Sequence, residues 1–331
     1  MKAPGFWYRR AGAMAMLLDP AAAVFELGGL VRHRLATPHK AAVPVICVGN
    51  LVAGGAGKTP IAIALCRRLQ AAGVDAHVLT RGYRGRERGP VLVDPGRHGA
   101  RDVGDEPLLL SAHAPTWVAR DRPAGAEAAI AAGAGAIVMD DGFQNPTLAK
   151  DLSLLVVDGQ AAFGNGRVIP AGPLREPIGR GLARADAVVV MGEDTSGIGR
   201  LLGEGPRPVL FADLVVEGEA ERWRGQKLLA FAGIGRPEKF FDMLLRLGCR
   251  LDARIAFPDH HVYQPDEVMR MIDLAAAGGA ALVTTAKDFV RLPADVQPLV
   301  RVLAVRVAWR DDGAIDRLLG PLAGGAQGGT G

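Results

Sequence analysis

The sequence predicts an α/β protein built on a mostly parallel sheet with helices on both faces, and three features of the chain lead to that prediction. Short apolar runs alternate with helical patterns from Val43 onward, which is the rhythm of doubly wound sheets. A glycine-rich turn directly follows the first of these runs. Finally, 49% hydrophobic and 22% charged residues in a chain of 331 are enough to form one large core or two ordinary ones.

The predicted elements form two series along the chain. The first apolar run, residues 45–48, is a strand that leads into the glycine-rich turn and then into a helix from near Pro60 to Leu69. Further strands of this series are predicted at 76–79, 91–93, 117–119, 135–139, 152–157 and 187–191, with a helix over 124–132. The second series has predicted strands at 228–232, 281–285 and 302–307 and predicted helices over 237–247 and 265–277.

These series divide the chain into five segments. We predict an N-terminal amphipathic helix over 1–40, a core with the glycine-rich turn over 41–212, an extended linker over 213–226, a smaller α/β domain over 227–320 and a flexible tail over 321–331. The tail is assigned from its glycine content, since chain ends of this composition are rarely held by contacts.

The glycine-rich turn resembles a phosphate-binding loop. Glycines let consecutive backbone N–H groups surround a phosphate, a lysine adds a cation, and a threonine hydroxyl ligates Mg²⁺. The full pattern requires glycine where Val52 stands, and a glycine-rich turn before a helix is often only a tight connection. Because a lysine, a threonine and a preceding strand accompany the turn, we favour nucleotide binding. The candidate residues are Val52, Ala53, Gly54, Gly55, Ala56, Gly57, Lys58 and Thr59.

Carboxylates at two further positions are candidates for chemistry. Asp140 and Asp141 end an apolar run, where a hard oxygen ligand for Mg²⁺ is expected beside a phosphate loop; an acidic turn before Gly142 is the alternative. Asp105 begins a predicted helix, and by itself it is typical of a helix cap. It is also a candidate catalytic residue, because a kinase needs a carboxylate to orient or deprotonate the attacking hydroxyl.

Histidine and arginine residues in three loops are the remaining candidates. His260 follows Asp259 in the second domain, and one histidine at a domain junction could form an acid–base pair with a carboxylate of the core. Arg175 lies in a proline-rich loop, and Arg120 follows a predicted strand. Guanidinium groups suit phosphates, although a solvated surface role is the alternative for each.

The N-terminal segment carries the entire net charge of +4, because its six basic and two acidic residues leave the rest of the chain balanced. A nucleic-acid-binding protein more often carries its basic excess on the folded body. Apolar residues recur in this segment at helical spacing, and Asp19 and Glu26 interrupt the apolar run that a spanning helix would need. We weigh two interpretations equally, a helix lying on a membrane surface and an ordinary helix packed on the core. The apolar stripe comprises Trp7, Met14, Leu17, Val24, Val31 and Leu35.

Taken together, these motifs resemble the tetraacyldisaccharide 4′-kinases of lipid A biosynthesis. The resemblance covers roughly residues 5–310 and rests on an ordered set of short strings, of which none is decisive alone. These begin at Val48, Gly54, Thr80, Gly104, Asp140, Pro170, Phe257 and Thr284. The loop of that family also lacks the first glycine, so Val52 fits it. Two positions depart from the family pattern: Ala56, where a small polar residue is frequent, and Ala286, where an acidic residue is expected.

The resemblance implies an activity and a location. The γ-phosphate of ATP would go to the 4′-hydroxyl of a tetraacylated glucosamine disaccharide 1-phosphate, with Mg²⁺ as the metal, and the product would be lipid IVA. The enzyme would be peripheral, at the cytoplasmic face of the inner membrane, and its partners would be this lipid and the membrane surface rather than nucleic acid. The oligomeric state is not predicted. The N-terminal stripe would then serve to hold the enzyme at the lipid interface.

The resemblance also implies roles for individual residues. Lys58 would hold the β- and γ-phosphates, and Thr59, Asp140 and Asp141 would serve Mg²⁺. Asp105 would be the candidate base, helped by His260, although Asp141 could pair with this histidine instead. The candidates for contacting substrate or the transferred phosphate are Tyr83, Arg120, Gln144 and Arg175.

Two other functions remain as alternatives. A nucleotide-switch ATPase often has a second lysine just before the paired glycines, and here that residue is Ala53. A soluble small-molecule kinase would have no use for a basic, amphipathic N-terminus. Both features therefore favour the lipid kinase.

Overall fold

The structure is a computed structural model that describes residues 4–325. The helices span Ala13–Leu35 (α1), Lys58–Ala71 (α2), Ala100–Val103 (α3), Asp105–Ser111 (α4), Arg122–Ala131 (α5), Ile178–Ala183 (α6), Ile198–Gly203 (α7), Pro237–Arg246 (α8), Pro265–Ala277 (α9), Ala286–Phe289 (α10) and Asp312–Gly325 (α11). The strands span Val45–Gly49 (β1), Ala76–Thr80 (β2), Val91–Leu92 (β3), Thr116–Val118 (β4), Ala136–Asp140 (β5), Leu152–Asp158 (β6), Ala187–Met191 (β7), Val209–Val216 (β8), Lys227–Ala232 (β9), Arg250–Ala256 (β10), Ala281–Thr285 (β11), Arg301–Leu303 (β12) and Val305–Trp309 (β13). Short 3₁₀ helices lie at Gly5–Tyr8, Gly218–Trp223 and Gln297–Leu299.

The larger sheet, counted over residues 4–325, has nine strands in the order β13-β8-β7-β6-β1-β5-β2-β4-β3. Its strands are parallel except at the two edges, where β3 and β13 run antiparallel to their neighbours. The central strands β1, β5, β6 and β7 are buried along their whole length, which requires cover on both faces of a parallel sheet. The predicted fold class is confirmed.

The strand register brings the candidate residues to one edge of this sheet. Val48 pairs with Asp140 across β1 and β5, so the glycine-rich turn leaves the sheet beside this carboxylate. Helix α4, which begins at Asp105, packs against α2. Ligands of such sheets bind at the carboxyl ends of the strands, and the candidate site lies there.

The smaller sheet has the order β10-β9-β11-β12 with all strands parallel. Strand β10 was not predicted. Its exposed positions alternate with partly buried ones and include Arg250, Asp252 and Arg254, so it lacks the apolar run that marks a central strand. The two sheets are joined by an ion-pair cluster, because Arg236, the N-cap of α8, and Lys239 of the same helix donate to Asp158 at the end of β6, at 2.8 and 2.7 Å.

The predicted boundaries of the second domain differ from the structure. Residues 213–216, predicted to be linker, belong to β8, and the predicted strand 302–307 is two strands that enter different sheets on either side of Ala304. Strand β13 and helix α11 return to the larger sheet, where Trp309 and Ile315 join its core. This crossover depends on pairing between distant segments and has no local signal. Helix α11 also covers the first five residues of the predicted tail, and the remainder lies outside the described residues.

Helix α1 exposes its apolar stripe. Met14, Leu17, Val24, Val31 and Leu35 are between 46% and 79% exposed, whereas Ala15 and Ala22 on the other side are buried. Trp7, predicted to join the stripe, is partly buried and donates from Nε1 to the Pro170 carbonyl at 3.1 Å.

The acidic residues of α1 face the core. Asp19 forms an ion pair with Arg167, and Glu26 accepts a hydrogen bond from Arg180 at 2.8 Å. The apolar run that these residues interrupt in the sequence is therefore continuous on the exposed side. By length and composition alone, α1 is apolar enough to cross a membrane.

Candidate active site

The glycine-rich turn has the backbone of a phosphate-binding loop. Gly54 and Gly57 adopt positive φ angles of 132° and 87°, a region that side-chain-bearing residues rarely enter. Gly57 is the N-cap of α2, and Lys58 is its first residue. The free N–H groups and the dipole of this helix start both favour an anion.

Val52 stands where the full loop pattern has glycine, and the structure gives this residue a role of its own. It forms an antiparallel bridge with Leu174, flanked by hydrogen bonds from Ala53 N to Pro173 O and from Arg175 N to Leu51 O, both at 2.7 Å. The lead-in to the loop is thus a short strand pair with the proline-rich loop. This pairing sets Arg175 beside the phosphate loop.

Two cations converge on Asp141. Lys58 Nζ lies 3.5 Å from its Oδ1 atom, and Arg175 Nη1 donates to the same oxygen at 2.8 Å. Burial alone would raise the pKa of Asp141, but the charges of Lys58 and Arg175 outweigh it and lower the pKa to about 2. Asp141 is therefore ionised at neutral pH and holds both cations at the mouth of the loop.

Asp140 is in a different environment. Its Oδ2 atom accepts a hydrogen bond from Thr59 Oγ1 at 3.0 Å, whereas its buried Oδ1 atom has no hydrogen-bond partner among residues 4–325. Burial raises the pKa of Asp140 to about 7, with a further contribution from the charge of Glu106. A buried carboxylate oxygen without a partner, next to a threonine hydroxyl at a phosphate loop, fits the hard-oxygen ligands that Mg²⁺ requires.

Asp105 and His260 form the second half of the site. Asp105 Oδ2 lies 2.8 Å from His260 Nδ1, so the histidine pairs with this carboxylate and not with Asp141. Asp105 is 4% exposed. It is the first residue of α4, and the N-cap of this helix is Gly104, so Asp105 is not the helix cap that its sequence position alone suggests. His260 has a left-handed backbone with φ of 61°, a strained conformation of the kind that clusters at functional sites.

Cations of the smaller domain complete this half. Lys287 Nζ donates to Glu106 Oε1 at 3.0 Å and lies 4.0 Å from Asp105 Oδ2, and Arg291 Nε lies 3.6 Å from the same oxygen. Burial alone would raise the pKa of Asp105. The hydrogen bond from His260 and the charges of Lys287 and Arg291 instead lower it to about 2.

The other predicted residues fall into two groups. Tyr83 is 56% exposed, and its ring packs edge-on to His260 with centroids 5.9 Å apart. Gln144 donates from Nε2 to the Asn50 carbonyl at 2.9 Å and accepts from Arg175 Nη1 at 3.3 Å. Both therefore border the site. Arg120 is exposed. Among residues 4–325 its hydrogen bond is a backbone one, from its N–H to the Arg88 carbonyl, and its side chain forms no hydrogen bond with the other candidate residues.

Sequence reasoning missed Lys287, Arg291 and Glu106. Lys287 stands next to Ala286, the position at which the chain departs from the expected family pattern. The departure leaves the local structure intact, because Thr285 caps α10 and its hydroxyl hydrogen bonds to Asp288 at 2.6 Å.

Comparison with known proteins places the chain in a family. The model of the LpxK family, described as tetraacyldisaccharide-1-P 4′-kinase, matches residues 14–322. A tetraacyldisaccharide 4′-kinase of Rhodospirillum centenum is 56% identical over 330 residues, which cover 98% of each chain. That of Paramagnetospirillum magneticum is 55% identical over 311 residues, covering 93% of this chain and 95% of the other.

A solved structure is similar as well. The crystal structure of "apo" form LpxK from Aquifex aeolicus in complex with ATP superimposes with a TM-score of 0.77 at 26% identity, covering 93% of this chain and 99% of that one.

Proposed function

The chain belongs to the tetraacyldisaccharide-1-phosphate 4′-kinase family, and we propose that it transfers the γ-phosphate of ATP to the 4′-hydroxyl of an acylated glucosamine disaccharide 1-phosphate. The observation that carries the proposal is the Asp105–His260 pair, whose Oδ2 and Nδ1 atoms lie 2.8 Å apart. Asp105 begins α4, the helix that packs against the phosphate-loop helix. A phosphate loop alone binds a nucleotide. A carboxylate–histidine pair beside it supplies what transfer to a hydroxyl requires.

The nucleotide half binds and neutralises phosphate. Lys58 and the N–H groups at the start of α2 hold the β- and γ-phosphates, and Thr59 and Asp140 would hold Mg²⁺. The ion would supply positive charge that offsets the negative charge of the phosphates. When ATP enters, its phosphates compete with Asp141 for Lys58 and Arg175, and Arg175 is then positioned to contact the transferred group.

The other half prepares the hydroxyl. Asp105 is ionised at neutral pH and accepts hydrogen bonds, so the Asp105–His260 pair orients the 4′-hydroxyl. The bond between the 4′-oxygen and the γ-phosphorus forms, the bond from that phosphorus to the β,γ-bridging oxygen breaks, and ADP leaves with the electron pair. The hydroxyl proton passes to the Asp105–His260 pair. Because the phosphoryl transition state is loose, orientation contributes more than early proton removal.

The direct test is transfer of labelled γ-phosphate from ATP to the acylated disaccharide 1-phosphate by the full-length protein. We expect one phosphate to be added to the lipid, at the 4′ position. Hydrolysis of ATP without a labelled lipid would support a nucleotide switch instead. Transfer to water-soluble sugars but not to the lipid would support a soluble small-molecule kinase.

Helix α1 is the proposed contact with the membrane. Its exposed apolar side faces away from the core, and its two acidic residues are paired with core arginines. Three arginines in the same segment are exposed and can contact anionic lipid. They are Arg9, Arg10 and Arg34. We place the helix on the cytoplasmic surface of the inner membrane, because ATP is supplied on that side.

Replacement of Leu17 and Val24 by glutamate tests this placement. We expect the double variant to lose binding to vesicles that contain phosphatidylglycerol and to keep its affinity for ATP. Leu201→Glu is the matched control, since Leu201 is 66% exposed on α7, far along the chain from α1. Equal vesicle binding by the double variant and the control would refute the membrane role of α1.

A further inference from the structure

A cationic cavity lies between the last turn of α1 and the loop that precedes β6. Its volume is about 240 Å³, and its lining includes His33, Lys150 and Arg184. These residues come from three separate segments, namely α1, the loop before β6 and the C-cap of α6. All three side chains are partly buried. Bringing basic groups together in such a place costs electrostatic free energy unless an anion compensates them.

The carboxylate that faces this group does not balance its charge. Arg184 Nη2 donates to Glu176 Oε1 at 2.7 Å, and the same oxygen also accepts from Gln144 Nε2 at 3.1 Å. Lys150 donates to a carbonyl, that of Asn145, which carries no net charge. The cavity therefore holds more positive charge than its described protein neighbours neutralise.

The lowered pKa values of two lining residues, His33 and Lys150, agree with this excess of positive charge. Burial lowers the pKa of His33 and of Lys150, and the charge of Arg184 lowers both further. The Arg184 guanidinium is itself fixed over the ring of Phe143, 5.1 Å from the ring centroid. A bound anion would relieve the repulsion between Lys150 and Arg184 and would use donors that are already oriented.

We propose that this cavity binds the phosphate group of a lipid headgroup. An ammonium and a planar guanidinium on neighbouring walls suit a phosphate, which accepts several charge-assisted hydrogen bonds. The two sources of such a group at this place are the 1-phosphate of the acceptor lipid and the headgroup of an anionic phospholipid. The identification of the acceptor rests on the function proposed above; the anion site itself rests on the cavity.

The position of the cavity favours a lipid phosphate over a soluble one. One wall is α1, whose opposite side carries the exposed apolar residues, so the cavity lies next to the surface that we place on the membrane. Arg32 of the same turn donates to the Gln144 carbonyl at 2.9 Å. Gln144 contacts Arg175, which contacts Asp141 at the phosphate loop. A continuous chain of contacts thus joins the cavity to the site of transfer.

The test uses Lys150→Gln, which removes one charge and keeps a polar side chain, in the full-length protein. Lys150→Arg is the charge-preserving variant, and Arg200→Gln is the matched control, since Arg200 is exposed on α7. Two acceptors are compared in neutral detergent, the acylated disaccharide 1-phosphate and the same disaccharide without its 1-phosphate. Flotation with phosphatidylcholine vesicles, with and without phosphatidylglycerol, is measured in parallel.

Two results would support the proposal and distinguish the sources. If the cavity takes the 1-phosphate, Lys150→Gln raises KM for the phosphorylated acceptor about tenfold and leaves KM for the other acceptor unchanged, since a charge-assisted hydrogen bond is worth about that factor. If it takes a phospholipid, KM in detergent is unchanged and the gain in vesicle binding from phosphatidylglycerol is lost. In both cases Lys150→Arg restores the wild-type value.

Other results would overturn it. An equal rise of KM for both acceptors would assign Lys150 a purely structural role, and wild-type behaviour in both assays would show that the cavity binds no phosphate. Failure of the wild-type protein to phosphorylate either acceptor would refute the proposed function, while the vesicle assay would still decide whether the cavity binds an anionic headgroup.

Discussion

The two halves of the candidate active site are built in different ways. The nucleotide half, Lys58, Thr59, Asp140 and Asp141, comes from adjacent strand ends of one sheet, and its geometry follows from the pairing of β1 with β5. The hydroxyl half joins Asp105 of the core to His260, Lys287 and Arg291 of the smaller domain across 155 residues or more of chain. The first half therefore forms with the core itself. The second exists only while the smaller domain lies against it.

The difference also appears in the carboxylates. Asp140 has a pKa raised to about 7, chiefly by burial, and one of its oxygens has no hydrogen-bond partner in the described part of the chain. Asp105 is also buried, but its hydrogen bond from His260 and two nearby cations lower its pKa to about 2. The nucleotide half thus leaves an incomplete environment that a metal ion can complete, whereas the hydroxyl half is already compensated by protein charges. Variants in the two halves should accordingly fail in different steps.

The largest effect is expected for Asp105→Ala. Loss of the carboxylate removes the group that orients the hydroxyl and leaves His260 without its partner, so we expect kcat to fall about 10³-fold. The KM for ATP should stay near the wild-type value, because Asp105 belongs to the other half. Steady-state kinetics with varied ATP measure both constants. A large rise in the KM for ATP would show that Asp105 serves the nucleotide or its metal.

Lys58→Met should weaken the nucleotide half instead. The variant keeps the length of the side chain and loses the cation at the β- and γ-phosphates, so we expect activity to fall about 10²-fold with weaker binding of ATP. Equilibrium binding of a fluorescent ATP analogue measures the affinity. Arg67→Met is the control, because Arg67 lies on the same helix and pairs with Glu217 at the surface. Normal ATP affinity in Lys58→Met would contradict the division into two halves.

The two halves of the candidate active site differ in how well the sequence predicts them. The nucleotide half is local, since a strand, a glycine-rich turn and a run ending in two aspartates each leave a signal in consecutive residues. Asp105 and His260 are candidates from the sequence, and the resemblance to the kinase family gave them the roles of base and helper, but it left open whether Asp105 or Asp141 pairs with the histidine. Lys287 and the return of β13 to the larger sheet have no local signal, because both depend on how distant segments meet.

The pH dependence of the free energy of unfolding should show that His260, Lys287 and Arg291 stabilise the ionised form of Asp105. The pKa of Asp105 is about 2 in the folded protein and 3.8 as the reference value, so its ionised form is favoured by folding through His260, Lys287 and Arg291. This stabilisation is present above pH 4 and is lost as the pH falls from about 4 to 2. It amounts to at most about 2.5 kcal/mol. Urea unfolding of wild type and Asp105→Asn at several pH values measures this contribution. If the free energy of unfolding depended on pH equally in both proteins below pH 4, the lowered pKa of Asp105 would be contradicted.

The smallest kinetic effect is expected at Lys287, and it separates the two halves most cleanly. Lys287 touches no nucleotide residue; it contacts Glu106 at 3.0 Å and lies 4.0 Å from Asp105. Its side chain links α10 of the smaller domain to the start of α4, so Lys287→Met should loosen the approach of His260 to Asp105. We expect kcat to fall about tenfold, in line with one lost charge-assisted hydrogen bond.

Two measurements decide whether this contact positions the hydroxyl half. Lys287→Arg keeps the charge and should recover most of the activity, and the KM for ATP should be unchanged in both variants. Lys227→Met is the matched control, because Lys227 lies on β9 of the same domain and pairs with Asp252 at the surface. If Lys287→Met raised the KM for ATP as much as Lys58→Met does, the smaller domain would act on the nucleotide half as well. The route would be Glu106, which pairs with Lys287 and whose charge contributes to the raised pKa of Asp140.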